Sequence, residues 1–332
     1  MNSNPTIQKP QSEILVDHIQ ALDLSAELVT LIGTGGIGNE YLKALTLLNV
    51  HDVRLIRRST GGFESLTAPR SPNEVAIVAV PVDELSPAVT HLLKIGFKKI
   101  LCEKPISLWS SQLEILTQLA DSHAATVWCA FNRRTYPSYV EAAARLEQEG
   151  GVTSSHYTFT EFPNAWVSPK YSSDTQARWG IANSLHVISM VHGLIGNPSK
   201  FSCNRTGSLE WHPTGSAFTG SGVTSKKVLF SYQADWESKG RWSIDLHTKE
   251  SIYRLCPLEK LFRKTTATSD FIEIPVKAFS DTSKPGFLEE TAASLSDHLR
   301  QIIPLTTLKE ATELTRYAEY VFGYSSTPGS IQ

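Results

Sequence analysis

The sequence predicts an α/β protein of two domains: an N-terminal doubly wound (Rossmann) parallel sheet, then a C-terminal α+β domain with an open, mainly antiparallel sheet. Three observations carry this. Five short apolar runs up to Phe131 are separated by amphipathic stretches, as parallel strands joined by helical crossovers are. The first run leads straight into a glycine-rich turn, Gly33-Thr34-Gly35-Gly36-Ile37-Gly38. After about Gly151 the apolar runs give way to alternating ones, the mark of half-exposed antiparallel strands.

The elements follow in order. Ile14–Leu22 is amphipathic and predicts a helix in an extra N-terminal segment, 1–26. Leu28–Ile32 is the first buried strand, and the helix after the turn runs through Tyr41, Leu42, Leu45 and Leu48. Val53–Ile56 and Val75–Val80 are the second and third strands, the third stopped by Pro81. Helices are expected around Ser86–Ile95 and Leu108–Ser122, and strands at Lys99–Cys102 and Thr126–Phe131. The dinucleotide-binding domain is therefore placed at 1–134 and the substrate-binding and oligomerisation domain at 135–332. In the latter, Ser154–Phe162, Lys226–Trp236, Arg241–Thr248 and Phe271–Val276 alternate. Gly180–Leu194, Phe287–Ile303 and Leu308–Phe322 read as helices.

The chain has 332 residues, with 31 Lys+Arg against 33 Asp+Glu and a formal net charge of −2. That balance gives no electrostatic reason for nucleic acid or an anionic membrane as partner. Met1–Thr6 carries no basic or apolar segment, so no secretory signal is expected. The longest apolar runs, such as Val75–Val82, fall far short of a membrane span. Cys102, Cys129, Cys203 and Cys256 are spread apart without a CxxC pair, which predicts free thiols in a reducing cytoplasm and no metal site. Redox chemistry at Cys102 and Cys129 is not expected, because neither has a resolving partner nearby in sequence.

The glycine turn stands between a strand and a helix, the context that dinucleotide binding requires. Gly33 permits the tight turn, Gly35 lets the backbone approach a pyrophosphate, and Gly38 lets helix and strand pack closely. Gly36 and Ile37 open the helix, whose free N–H groups attract phosphate. An acid usually follows the second strand to hold the ribose. Here Arg57-Arg58-Ser59 follows it, with no carboxylate before Glu64. Two guanidinium groups and a hydroxyl suit a 2′-phosphate, so NADP is preferred to NAD.

The fourth strand ends in Cys102-Glu103-Lys104-Pro105. With the glycine turn and Ala79-Val80-Pro81, this resembles the glucose–fructose oxidoreductase / inositol dehydrogenase / MocA family. Phe131-Asn132-Arg133-Arg134-Thr135-Tyr136-Pro137 and Asn183-Ser184-Leu185-His186 are similar to two further segments of that family. The resemblance covers nearly the whole chain from about Leu28. It implies hydride transfer between a nicotinamide and a carbinol or keto carbon of a sugar, cyclitol or nucleotide sugar. Gly240–Trp242, Pro257–Leu261 and Lys284–Phe287 resemble members from surface-polysaccharide and acidic-sugar pathways. It further implies a homodimer or homotetramer paired through the open sheets, in the 220–280 region, whose free face is expected to be apolar.

Lys104, at the end of a central strand, is the candidate to hold the reacting oxygen and stabilise its charge. His186 is the candidate proton shuttle, with an ordinary pKa near neutrality. Pro81, Glu103 and Asn132 are expected against the cofactor. Trp166, Arg178, Trp179 and Asn183 are expected to supply aromatic and hydrogen-bonding contacts to a sugar. The sequence departs from the family where it often carries aspartates around the histidine: these positions are Ala182 and Ser189. That departure keeps open a second reading, a non-catalytic NADP-binding sensor or regulatory protein of the same fold.

Overall fold

The computed structural model describes residues 9–161 and 171–328. Helix α1 (Gln11–Gln20) precedes β1 (Leu28–Ile32), α2 (Gly36–Leu47), β2 (Asp52–Ile56), β3 (Val75–Val78), α3 (Val82–Lys94), β4 (Lys99–Glu103), α4 (Ser110–Ser122) and β5 (Thr126–Ala130). These strands lie parallel in the order β2-β1-β3-β4-β5. Helices cover both faces, so Val29, Leu31, Ile77, Ile100 and Leu101 are fully enclosed, which is why each strand reads as a continuous apolar run. The chain passes from β2 across β1 to β3, and that reversal opens a crevice at the carboxyl ends of the strands. No helix joins β2 to β3. Two short 3₁₀ turns, Arg58–Thr60 and Phe63–Ser65, carry this Gly- and Ser-containing stretch instead.

Helix α5 (Pro137–Gln148) leads to β6 (Ser154–Phe159), the short α6 (Ser173–Ala177), α7 (Leu185–Ile195), β7 (Pro198–Thr206), β8 (Ala217–Thr224) and β9 (Leu229–Asp235). Strands β10 (Trp242–His247), β11 (Ser251–Leu255), β12 (Leu261–Thr265) and β13 (Ile272–Ile274) complete an eight-stranded sheet, ordered β13-β12-β11-β10-β6-β9-β8-β7. Every pairing is antiparallel except β6 with β9. Sequence patterning finds β6, β9, β10 and β13. It passes over β7, which is largely exposed, its neighbour β8, and the brief β11 and β12.

One face of this sheet is apolar, with Tyr157, Phe159, Phe218, Tyr232, Ile244 and Leu246 buried. Helix α7 lies over β6 and β10, and α5 over β12. The other face differs from expectation. It carries His156, Thr158, Ser231, Gln233, Ser243 and Asp245, with the exposed Leu229 and the half-buried Val223, Ile252 and Phe262 as exceptions. A face with this many polar groups offers no large contiguous apolar patch, so the hydrophobic argument for pairing subunits there is weaker than expected.

The expected helix 287–303 is two, α8 (Phe287–Leu295) and α9 (Asp297–Ile302). Ser296 divides them with extended backbone, and its hydroxyl accepts from Leu299 N at 3.2 Å as N-cap. The chain then returns to the first sheet. β14 (Thr306–Thr307) pairs antiparallel with β5, and α10 (Leu308–Phe322), capped by Thr307 and Glu310, packs on α4 and over β7. The C-terminal segment thus crosses the division placed at 134/135. Among the described residues no helix is long and apolar enough to cross a membrane.

Ser296→Ala removes the cap oxygen of α9 and is expected to cost about 1 kcal/mol. Urea unfolding should show a lower midpoint with an unchanged slope.

Candidate functional site

A cleft of about 1160 Å³ crosses the carboxyl ends of β1, β3 and β4. At one end it meets the glycine turn. Gly33 has φ +93°, and a Cβ there would lie 2.3 Å from Ala79 O. A Cβ at Gly38 would lie 2.0 Å from Gly33 O. These two glycines serve the turn and the approach of α2 to β1. Gly35 and Gly36 are different, for nothing stands within 4 Å of a Cβ at either. Their open side faces the cleft, and no side chain caps the first turn of α2. Such a cradle of unshielded N–H groups fits a pyrophosphate. Thr34, Ile37 and Pro81 also line it.

Arg57 and Arg58 line the cleft beyond β2 and are exposed. The Arg58 guanidinium pairs with Glu84 of α3, whereas that of Arg57 has no partner among the described residues. Ser59 sits in the 3₁₀ turn outside the cleft lining, and Glu64 lines the same end.

The floor is built by the end of β4. Glu103 Oε1 accepts from the Tyr41 hydroxyl at 2.8 Å, and the same hydroxyl lies 3.3 Å from Glu290 Oε2 on α8. One hydroxyl proton cannot serve two carboxylates. Burial pushes Glu290 well above the usual carboxylate range, with the charge of Glu103 adding to it, so Glu290 is the member that holds a proton. Burial also raises Glu103. Lys104 Nζ donates to Ala182 O at 2.6 Å. Burial lowers its pKa to about 8, against the opposing pull of Glu103. Ile106 then adopts φ +59°, a rare conformation for a β-branched residue. It is held by complete burial and by its N–H on Glu103 O.

Opposite this floor stands a π turn, Gly180–Ser184, leading into α7. Its tightness depends on Gly180, where a Cβ would meet the Phe322 ring at 2.4 Å. The turn carries Ala182 and Asn183 to the cleft, and His186 follows one turn later. His186 is buried between Phe131 and Trp242, with ring centroids at 6.4 and 6.2 Å, and its Nδ1 has no hydrogen-bond partner among the described residues. Burial, then Arg133, Lys104 and Lys284, push it well below the usual histidine range. The expectation of a histidine titrating near neutrality is therefore corrected: this imidazole stays neutral. Ser189 is structural, its hydroxyl donating to His186 O. His192 packs on Tyr317, away from the cleft.

The remaining expected contacts divide. Asn132 lines the cleft, and its Nδ2 donates to Pro285 O, which brings Lys284 to the mouth. Trp179 lines the cleft. Arg178 does not reach it. Its Nε donates to Leu108 O at 2.9 Å, its Nη2 to Glu319 Oε1 at 3.2 Å, and it stacks on Trp109 and Tyr324. Arg178 is thus an internal tie between α10 and the strand-to-helix link before α4. Trp166 lies outside the described residues. Sequence reasoning missed Arg133, Lys284, Trp242 and Glu161. The Arg133 guanidinium lies 5.0 Å over the Trp242 ring. Glu161, just past β6, is buried behind Asn183. Its one sequence signal is a carboxylate ending an alternating strand.

Cys102 and Cys129 are register partners on β4 and β5. Sequence distance had hidden that proximity. Burial raises both thiols well above their ordinary value, which keeps them as thiols and unreactive.

No protein-family model matches the chain, and no curated protein matches it by sequence. Solved structures do match in fold. A levoglucosan dehydrogenase in complex with NADH and levoglucosan shares 16% identity, over 90% of this chain and 96% of that one, with a TM-score of 0.67. An inositol dehydrogenase homolog of Azotobacter vinelandii, complexed with NADH and myo-inositol, shares 12% over 92% and 97%, with a TM-score of 0.69. A putative NADPH-dependent oxidoreductase of Desulfitobacterium hafniense shares 13% over 89% and 94%, with a TM-score of 0.70. At these identities the likeness establishes the architecture: a Rossmann-type domain joined to an open antiparallel sheet.

Arg178→Met should destabilise the protein by about 3 kcal/mol or more, since it leaves Glu319 buried without its cation. Binding of NAD(P)H, followed by fluorescence, should be unaffected, because Arg178 lies outside the cleft.

Proposed function

We propose that this chain is an NAD(P)-dependent dehydrogenase or reductase that acts on a carbinol or keto carbon of a sugar or polyol. The observation that carries the reading is convergence. Lys104, Asn183 and His186 come from two domains and meet at one end of a cleft whose other end is an open glycine cradle. The solved structures of similar fold include ones complexed with NADH and levoglucosan or myo-inositol, which supports the same class of chemistry. Arg133 and Lys284 beside the site suit a substrate that is itself acidic, such as a sugar carboxylate or a nucleotide sugar.

The glycine turn would hold the pyrophosphate, and Glu103, Pro81 and Asn132 would flank the nucleoside end nearest the reaction. A nicotinamide bound there supplies hydride transfer. The chain's own residues handle the proton. Lys104 contacts the reacting oxygen and, with its pKa lowered to about 8, exchanges a proton near physiological pH. Its charged form stabilises the alkoxide. His186, neutral and enclosed, orients that oxygen by a hydrogen bond. The Ala182 carbonyl holds Lys104 in place, where many relatives of the resembled family carry an aspartate side chain. The absence of that side chain is what favours the sensor reading. A sugar and polyol screen decides between the two: tight NADPH binding without turnover of any of them would favour the sensor.

The proton role sets the pH dependence. Oxidation needs neutral Lys104, so its rate should rise with pH through about 8, and reduction should fall over the same range. Lys104→Met should lower the chemical step by about 10²-fold or more and abolish that limb in single-turnover kinetics. His186→Ala should cost about 10²-fold and leave the limb in place.

Arg57, whose guanidinium has no partner among the described residues, and Arg58, shared with Glu84, favour NADP over NAD. Replacing both by serine should weaken NADPH by about 2 kcal/mol, the scale of a charge-assisted hydrogen bond, with little change for NADH. Equal wild-type affinities for the two in calorimetry would refute the preference.

A further inference from the structure

Glu161 is unused by the mechanism above, yet it is 2% exposed and stands directly behind the site. It leaves the second sheet just after β6. Its Oε2 accepts from Asn183 Nδ2 at 2.9 Å, and its Oε1 accepts from Ser184 Oγ at 2.8 Å. Both partners belong to the π turn, so one carboxylate grips that turn twice. Asn183 is half-buried and lines the cleft between Ala182 and His186.

An amide has a donor end and an acceptor end, and an ionised carboxylate can only accept. Glu161 therefore compels Asn183 to turn its NH₂ inward. The carbonyl oxygen Oδ1 is left on the opposite side, and no described residue donates to it. We propose that Glu161 is a positioning residue that fixes the polarity of Asn183, so that Asn183 Oδ1 accepts a hydroxyl of the substrate beside the carbon held by Lys104 and His186. This rests on the dehydrogenase reading. It narrows the substrate to one bearing a hydroxyl next to the reacting carbon, a vicinal diol or hydroxy-ketone. A carbonyl or ether oxygen at that place would set two acceptors against each other in a dry site. The usual cost of an unmade hydrogen bond amounts to about 10- to 100-fold in affinity.

The same geometry carries a pH dependence. Burial pushes Glu161 up to about 7, against the lowering effect of its hydrogen bonds from Ser184 and Asn183. The other titratable groups that face it are Lys104 from β4 and Tyr324 beyond α10. Once protonated, Glu161 can donate, and the Asn183 amide is free to turn its NH₂ to the cleft.

The test has two arms on the full-length protein. In the first, protein labelled with ¹⁵N at asparagine is titrated, and the Asn183 side-chain amide is identified by its loss in Asn183→Ala. The expected result is a resonance that moves with a midpoint near about 7 and does not titrate in the isosteric Glu161→Gln. A midpoint that persists in Glu161→Gln, or an amide indifferent to both pH and the substitution, overturns the proposal. Should Glu161→Gln fail to fold, Ser184→Ala removes the other bond to this carboxylate and must move the midpoint to higher pH. An unmoved midpoint there also overturns it. The second arm takes whichever polyol or sugar the wild type turns over and its analogue deoxygenated at the neighbouring carbon. Glu161→Gln should raise KM by about 10- to 100-fold, leave kcat within a few-fold, and erase the preference for the hydroxylated compound. A fall in kcat with KM and preference intact counts against positioning. If the wild type turns over no polyol, the dehydrogenase reading falls and the substrate hydroxyl with it, while the amide titration still decides whether Glu161 positions Asn183.

Discussion

The hydrogen bond from Lys104 Nζ to Ala182 O, 2.6 Å long, is the contact on which the site's geometry depends. It joins the residue just past β4 to the π turn before α7, and so joins the two sheets across the cleft. A buried ammonium cannot be left without an acceptor, because the desolvation it suffers has to be met locally. The π turn presents the Ala182 carbonyl there, and single π turns recur at functional sites. Three further constraints hold the turn: the Phe322 ring against Gly180, the Tyr324 hydroxyl accepting from Gly180 N, and Glu161 beneath Asn183 and Ser184.

Those constraints explain why the C-terminal segment returns to the first sheet. Phe322 and Tyr324 lie at and just beyond the end of α10, and α10 is anchored by β14 on β5 and by the Arg178–Glu319 pair. The π turn is thus positioned from both sheets at once. A buried ion pair is a poor source of net stability compared with apolar packing. Its value here lies in direction, since Arg178 can satisfy Leu108 O and Glu319 only in one register of α10 against the segment before α4.

The legibility of each part in the sequence follows from how local its physics is. The first sheet is buried on both faces, so its strands announce themselves as apolar runs; Gly38 is needed for a contact within one strand–turn–helix unit, and Gly33 has a φ of +93° at the turn itself, although its tightest approach is to Ala79 after β3. Strands β7 and β8 pack one sparse face at a sheet edge and carry Lys, Asn, Ser and Thr, so no period stands out. At the site, Lys104 and His186 sit in recognisable segments. Glu161, Lys284 and Trp242 enter it through contacts between distant parts of the chain, which no local pattern encodes. Arg178 shows the converse. Its neighbours Trp179 and Asn183 made it look like a sugar contact, but its acceptor Glu319 lies 141 residues away. The pairing of Cys102 with Cys129 was hidden in the same way, by a register that only the folded sheet defines.

The charge balance assigns the proton to one residue rather than two. Lys104, Arg133 and Lys284 all bear on His186, and each lowers its affinity for a proton on top of the burial that dominates. An imidazolium there would be a fourth cation in a site whose nearby carboxylates, Glu103 and Glu161, are themselves raised by burial. The lysine escapes this penalty in part, because Glu103 and Glu161 both favour its charged form and Ala182 O accepts from it. It can therefore hold a proton at neutral pH and release it near pH 8, whereas burial and three cations set the histidine well below its usual range. In the proposed reaction the developing alkoxide is the charge that this positive excess lacks. The site is electrostatically complete only with the reacting oxygen in place, which is the arrangement expected where charge is stabilised in the transition state rather than in the free protein.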